Sequence, residues 1–131
     1  MNVLGSVYLT QALLPIMMER REGKIVFISS MAGQLGLYGY TAYAASKFAL
    51  RGLAETLQMG VRPYNIAISI SFPPDTDTPQ LQAELPQRSA IVAELASYGS
   101  VFQAEQVAGD VWRGVETVSY THLTLPTNRE V

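Results

Sequence analysis

Tyr43 and Lys47 stand four residues apart in Y-A-A-S-K, a spacing that puts both side chains on one face of a helix, one turn apart. A phenol beside an ammonium has its pKa pulled down, because the positive charge favours the phenolate. That brings a group whose ordinary pKa is about 10 into range for general acid and base work at neutral pH. A solvated surface lysine beside a half-buried tyrosine would give the same two letters. Ser30 narrows the choice: it lies thirteen residues before Tyr43, after an apolar run and ahead of a glycine-rich stretch, where a hydroxyl can face the start of the helix.

These side chains need a strand, a loop and a helix to hold them. The continuous run Lys24 to Ile28, bounded by Gly23 and by Ser29 and Ser30, predicts a strand apolar on both faces, suited to the middle of a parallel sheet. Gly33, Gly36 and Gly39 make Met31 to Tyr40 a loop. From Ala42 to Met59, Leu50, Leu53, Ala54 and Leu57 repeat at i, i+3, i+4 and i+7 and end near Gly60, with Thr41 placed to cap the helix. Upstream, Val3, Val7, Leu13, Leu14 and Met17 predict a mostly buried helix over Val3 to Met18, closed by Glu19 to Glu22 and Gly23.

Pro63-Tyr64-Asn65 makes a turn, and Ile66 to Phe72 reads as a second strand, so that strand, helix and strand form a parallel β-α-β unit. Pro73 to Pro79 can be neither helix nor central strand, and it falls where a doubly wound sheet places its ligand. Asp75 and Asp77 within it read as turn formers rather than catalytic carboxylates. Helices are expected over Ala90 to Ser97 and Ala104 to Glu116, with Trp112 a partly buried anchor and Met17 and Met18 as packing.

Composition excludes several function classes. With 131 residues and 48% of them apolar, the chain is one small domain or part of a larger one. Nine Lys plus Arg against eleven Asp plus Glu leave no basic stripe for nucleic acid. No cysteine and a single histidine leave no thiolate or multi-histidine metal site, and no cysteine nucleophile. The apolar stretch Asn2 to Met18 carries Ser6, Thr10, Gln11 and Pro15, and its basic residues, Arg20 and Arg21, come last, the reverse of a secretory signal.

The stretch K-I-V-F-I-S-S-M-A-G-Q-L-G-L-Y-G-Y-T-A-Y-A-A-S-K-F-A-L resembles the active-site segment of the short-chain dehydrogenases/reductases, with Ser, twelve residues, Tyr, three residues and Lys in register. The resemblance implies an α/β fold, part of a Rossmann-like doubly wound parallel sheet. It implies roles as well: Tyr43 as the acid that protonates a carbonyl oxygen, Ser30 as its hydrogen-bond partner, and Lys47 as the group that lowers the phenol and holds the nicotinamide ribose. Asn2, in M-N-V-L-G, matches the helix asparagine that holds a relay water, although a plain helix cap is its other reading. The implied cofactor is NADPH, held by Tyr43, Lys47, Pro73, Thr76 and Thr78, and no metal is implied. Where the family has Pro-Gly, three residues and Thr, this chain has Pro73, Pro74 and Thr78, which removes one N–H from that turn.

S-F-P-P-D-T-D-T-P, with its flanks, resembles the branch of that family whose substrate is a long-chain sphingoid ketone, 3-ketosphinganine, reduced with NADPH at the cytosolic face of the endoplasmic reticulum membrane. Membrane association of the full-length protein and a homodimer through the Asn2 and Tyr43 helices are implied with it. The alternatives are a membrane-associated member acting on steroid or retinoid carbonyls, and an inactive fragment without its cofactor half. The family's glycine-rich phosphate loop does not occur, so residues 1–117 are expected to be the catalytic half of the domain, without its N-terminal strands, and Met1 an internal methionine or a truncated start. In the C-terminal stretch V-S-Y-T-H-L-T-L-P-T-N-R-E-V, Val118 to Thr127 back-translates to a transposase adapter used in sequencing libraries, so residues 118–131 are expected to be a non-native tail; a genuine divergent tail is the alternative.

Overall fold

A computed structural model of the chain describes residues 2–117 and the backbone of 120–123. Its centre is β2 (Ile66–Ser71), buried at every position except Ala67, which is half-buried. β1 (Gly23–Ile28) runs parallel to it in the register Gly23 with Ile66 through Ile28 with Ser71, so both strands end level with each other. On the other side β2 pairs in parallel with β5 (Tyr120–Leu123), Ile68 opposite Tyr120 and Ser71 opposite Leu123. The remainder of the stretch expected to be a non-native tail lies outside the described residues.

The order of the described strands in this sheet is β1-β2-β5. The strand at the middle is β2; β1 closes the sheet on one side among the described residues, and Ile28 at its end is 50% exposed. A groove of about 590 Å³ follows β1, lined by Leu9, Leu13, Met17, Ile25 and Phe27 among others.

α2 (Thr41–Val61) joins the two strands and lays Leu50, Ala54 and Val61 on Phe27, Ile66, Ile68, Ile70 and Phe72, with Leu53 and Leu57 at the margin, as the i, i+3, i+4, i+7 pattern requires. Its cap differs from expectation. Thr41 is already the first helical residue and Tyr40 holds the cap position without a side-chain bond. Gly39, at φ +81°, supplies the left-handed turn that feeds the helix, a conformation that a side chain resists.

α1 (Leu4–Arg20) is correctly expected as a helix but is not mostly buried. Leu14, Met17 and Met18 pack on the core, whereas Leu4, Tyr8, Leu9, Leu13 and Ile16 are exposed. The sequence carries apolar residues all round this helix, so periodicity could not say which face would be covered. Arg21, in the left-handed region, ends it by donating its N–H to the carbonyls of Met17 and Met18.

Beyond β2 come β3 (Thr76–Asp77), α3 (Pro79–Glu84), α4 (Ala90–Ser97), β4 (Phe102–Gln103) and α5 (Ala104–Thr117). α4 and α5 match expectation to within a residue. α3, which the sequence reading does not include, has a local cause: Thr78 accepts from the Leu81 N–H at 3.2 Å as its cap, and Pro79 occupies the first turn. The two-residue ladder of β3 with β4 pairs Thr76 with Phe102 and Asp77 with Gln103, positions too far apart for any local pattern to announce.

Candidate active site

Because β1 and β2 are parallel and end level, the segments leaving them emerge on the same side of the sheet. They stay together: Ser29 N–H donates to the Ser71 carbonyl (2.8 Å) and Met31 N–H to that of Pro73 (3.2 Å). Ser30 caps the short 3-10 turn Met31–Gly33 by accepting from the Ala32 N–H at 3.2 Å, which fixes its hydroxyl at the strand exit. The first turns of α2 then bring Tyr43 and Lys47 over the same exit. Ile28, Ser30, Tyr43, Lys47, Pro73, Asp75, Thr76 and Thr78 share one cavity of about 530 Å³. Leu81, Val107, Val111 and Trp112, from α3 and α5, give it an apolar wall.

The Lys47 ammonium donates to the Ile28 carbonyl at 3.1 Å and sits 5.5 Å from the centre of the Tyr43 ring. The expected lowering of the phenol by Lys47 is therefore corrected. Burial pushes the Tyr43 pKa above its ordinary value; a hydrogen bond with the Ser30 side chain pulls it down, and the charges of Glu84, Tyr40 and Asp75 add to the rise. Lys47 is lowered by its own burial. The ammonium lies over the face of the ring and donates to a backbone carbonyl rather than to the phenol oxygen, so burial outweighs it in the resting site. A phenol held protonated is poised to donate a proton, which suits reduction of a carbonyl.

Asn2 is not a side-chain cap: α1 is capped at Val3 without one. Its Nδ2 donates to Ser46 Oγ at 3.2 Å, and that hydroxyl donates to the Tyr43 carbonyl at 2.7 Å. Asn2 thus reaches the helix of Tyr43 and Lys47 from behind, and it shares the groove along β1 with Lys47 and Ile28. Pro73, Thr76 and Thr78 all line the cavity; Thr76 Oγ1 donates to the Pro74 carbonyl at 3.0 Å. Asp75 is more than a turn former, because both its oxygens accept from Arg88, at 2.5 and 2.9 Å. Trp112 is 64% exposed at the cavity and donates to Glu116 Oε1 at 2.9 Å, which corrects its reading as a partly buried anchor. Among the described residues no group of three or more His, Cys, Asp or Glu could hold a metal ion.

Gly33 is required by a close approach. A Cβ built there would collide with Ser29 Oγ and stand 3.0 Å from the Lys47 carbonyl oxygen, the atom to which the Ser29 hydroxyl donates at 3.0 Å. Gly33→Ala must push the loop off α2 at Lys47. The expected cost is about 1 to 3 kcal/mol, the usual range for overpacking, read as a lower urea midpoint at unchanged slope in the full-length protein.

Similarity to known proteins agrees with this geometry. Residues 1–89 match the family described as short chain dehydrogenase. The chain is 53% identical over 110 residues to 3-ketodihydrosphingosine reductase of Bos taurus, covering 84% of this chain and 33% of that protein. It is 54% identical over 107 residues to 3-dehydrosphinganine reductase of Danio rerio, covering 82% and 32%. The chain therefore spans about a third of the length of these curated relatives. Among solved structures, a gluconate 5-dehydrogenase from Burkholderia cenocepacia J2315 in complex with NADP and tartrate superposes with a TM-score of 0.76 at 23% identity, over 92% of this chain and 50% of that one. That likeness is one of fold, an α/β parallel sheet with helices. With Ser30, Tyr43 and Lys47 in register on one cavity and the family matched over residues 1–89, the chain belongs to the short-chain dehydrogenase/reductase family.

Proposed function

We propose that this chain is the catalytic half of an NADPH-dependent reductase that converts the ketone of 3-ketosphinganine to the alcohol. The observation that carries the reading is the convergence of Ser30, Tyr43 and Lys47, from a strand exit and a helix start, on one cavity with an apolar wall. The substrate class is supported by the identity to the two sphingoid-ketone reductases. It is supported too by the wall of Leu81, Val107, Val111 and Trp112, which offers an aliphatic chain somewhere to lie.

The residues fit the cofactor: an ammonium at Lys47 and hydroxyls at Thr76 and Thr78 face the cavity beside Tyr43, the donor set that a ribose and a carboxamide need. NADPH, when bound, supplies hydride to the carbonyl carbon. The rest is the protein's own work. Ser30 Oγ donates to the ketone oxygen and orients it toward Tyr43. As negative charge develops on that oxygen, the Tyr43 hydroxyl gives up its proton, and the phenolate left behind is stabilised by the nearby Lys47 cation. Asn2, through Ser46, steadies the helix turn that carries both. Residence at the cytosolic face of the endoplasmic reticulum, and pairing of two copies through the exposed apolar faces of α1 and α2, belong to the same proposal. No helix of the described residues is long and apolar enough to cross a membrane.

The test is turnover by the full-length protein that carries this chain, with 3-ketosphinganine and retinal offered separately with NADPH. Preference for 3-ketosphinganine by about tenfold or more in kcat/KM is expected. Preference for retinal would move the protein to the retinoid branch, and turnover of neither would leave the catalytic reading without support.

A further inference from the structure

Arg88 lies in the connection between α3 and α4, far in sequence from the serine, tyrosine and lysine of the site. Its side chain is only 7% exposed, and all of its guanidinium nitrogens are engaged. Nη1 and Nη2 donate to the two carboxylate oxygens of Asp75, and Nε donates to the Tyr40 hydroxyl at 3.2 Å. Asp75 belongs to the segment leaving β2 and lines the cavity, and its carbonyl accepts from the Phe102 N–H at 2.9 Å, just ahead of α5. Tyr40 is the cap residue of α2: its carbonyl accepts from the Ala44 N–H at 2.7 Å, and its ring meets that of Tyr43 edge to face at 6.0 Å. One guanidinium therefore ties together three segments that surround the site, and it does so without lining the cavity itself.

An ion pair whose acid is 34% exposed is a poor way to gain stability, because solvent screens its attraction and desolvation of the guanidinium offsets part of the rest. What a planar fork with three fixed donors gives that apolar packing does not is a defined geometry between the segments it joins. We propose that Arg88 is a positioning residue: by gripping Asp75 and the Tyr40 hydroxyl together, it locks the α3–α4 connection and the segment after β2 to the first turn of α2, and so sets where the Tyr43 phenol stands relative to the substrate carbonyl. The inference rests on the reading of Tyr43 as proton donor. Arg88 neutralises Asp75, one of the charged groups that face Tyr43. The others are Glu84 on α3, Tyr40 at the head of α2 and Lys47 on α2 itself.

The experiment uses the full-length protein with Arg88→Lys, Arg88→Gln, Asp75→Asn, Tyr40→Phe and the double variant Asp75→Asn with Arg88→Gln. Arg88→Lys keeps the charge and loses the fork; it is expected to lower kcat by at least about tenfold while NADPH affinity stays within about twofold, the signature of a misplaced reacting group. Tyr40→Phe keeps the ring contact and loses one hydrogen bond, and a fall of about threefold is expected. The double variant is expected to be no worse than its worse single parent, since the residues act as one unit. A purely structural role would not move the pH profile of kcat. Here, Arg88→Gln leaves the Asp75 charge uncompensated and raises the apparent pKa of the phenol, and adding Asp75→Asn brings it back. Wild-type kcat and pH profile in a folded Arg88→Lys, or losses that simply multiply in the double variant, would overturn the proposal. If the Arg88 variants do not fold, unchanged kcat and pH profile in Tyr40→Phe overturns it. An active Tyr43→Phe defeats the site reading as well, whereas an active Arg88→Lys beside an inactive Tyr43→Phe defeats this proposal alone.

Discussion

Replacing Tyr43 by phenylalanine in the full-length protein is expected to lower ketone reduction by about 10³-fold and to leave NADPH binding within about twofold, since general acid catalysis of this kind is worth roughly 10² to 10⁴. The change removes one oxygen from a half-buried ring and keeps the edge-to-face contact with Tyr40, so the fold is not at stake. Lys47, Thr76 and Thr78, which the proposal assigns to the cofactor, still line the cavity. Single-turnover kinetics with a fluorescence titration of NADPH separate the two quantities, and a near wild-type rate would remove Tyr43 from the mechanism. The pH dependence has a definite sign. The acid works only while protonated, and burial holds its pKa above the ordinary phenol value, so reduction is expected to persist through neutral pH and to fall only as pH climbs through that raised value.

The largest effect on stability is expected at Phe72. It is 1% exposed, directly follows β2 in the cluster with Leu50, Ala54 and Ile70, and is among the largest fully buried side chains. Phe72→Ala opens a cavity that flanking strands cannot close, at a cost of about 3 to 5 kcal/mol. That is a large part of the 5 to 15 kcal/mol that a typical domain has in total. Because Pro73 follows directly and accepts from the Met31 N–H, activity is expected to fall together with the denaturation midpoint. Leu57→Ala, at the margin of the same core, should cost less than half as much. Equal losses at the two positions would show that the core is not centred where the structure puts it.

The elements that hold the site were readable because each had a local cause. The run Lys24 to Ile28, the glycines of the following loop and the leucine repeat of α2 all fix their conformation within a few residues. The spacing of Ser30, Tyr43 and Lys47 is a consequence of those elements, which bring all three to one cavity. What stayed hidden depends on residues distant along the chain. Arg88 and Asp75 look like two ordinary surface charges until α3 folds back. The pKa of Tyr43 was expected to fall because the sequence shows a lysine one turn away; it shows neither the burial of the phenol nor the Ile28 carbonyl that claims the ammonium. The exposed face of α1 was hidden for a different reason: a helix apolar all round has no pattern to point with.

The level ending of β1 and β2 has an evolutionary corollary. Ile28 stands opposite Ser71, so a single continuous stretch from Gly23 to Pro79 carries the serine, the tyrosine, the lysine and both cavity-lining threonines, together with the two strands that align them. Such a stretch is a heritable cassette. Recombination between related genes at its two borders would transfer these side chains and their scaffold in one event, while the helices after Pro79, which furnish the apolar wall, diverge on their own schedule. Chemistry and substrate preference would then be inherited through separate parts of the gene, and a family built this way could change what it reduces without rediscovering how.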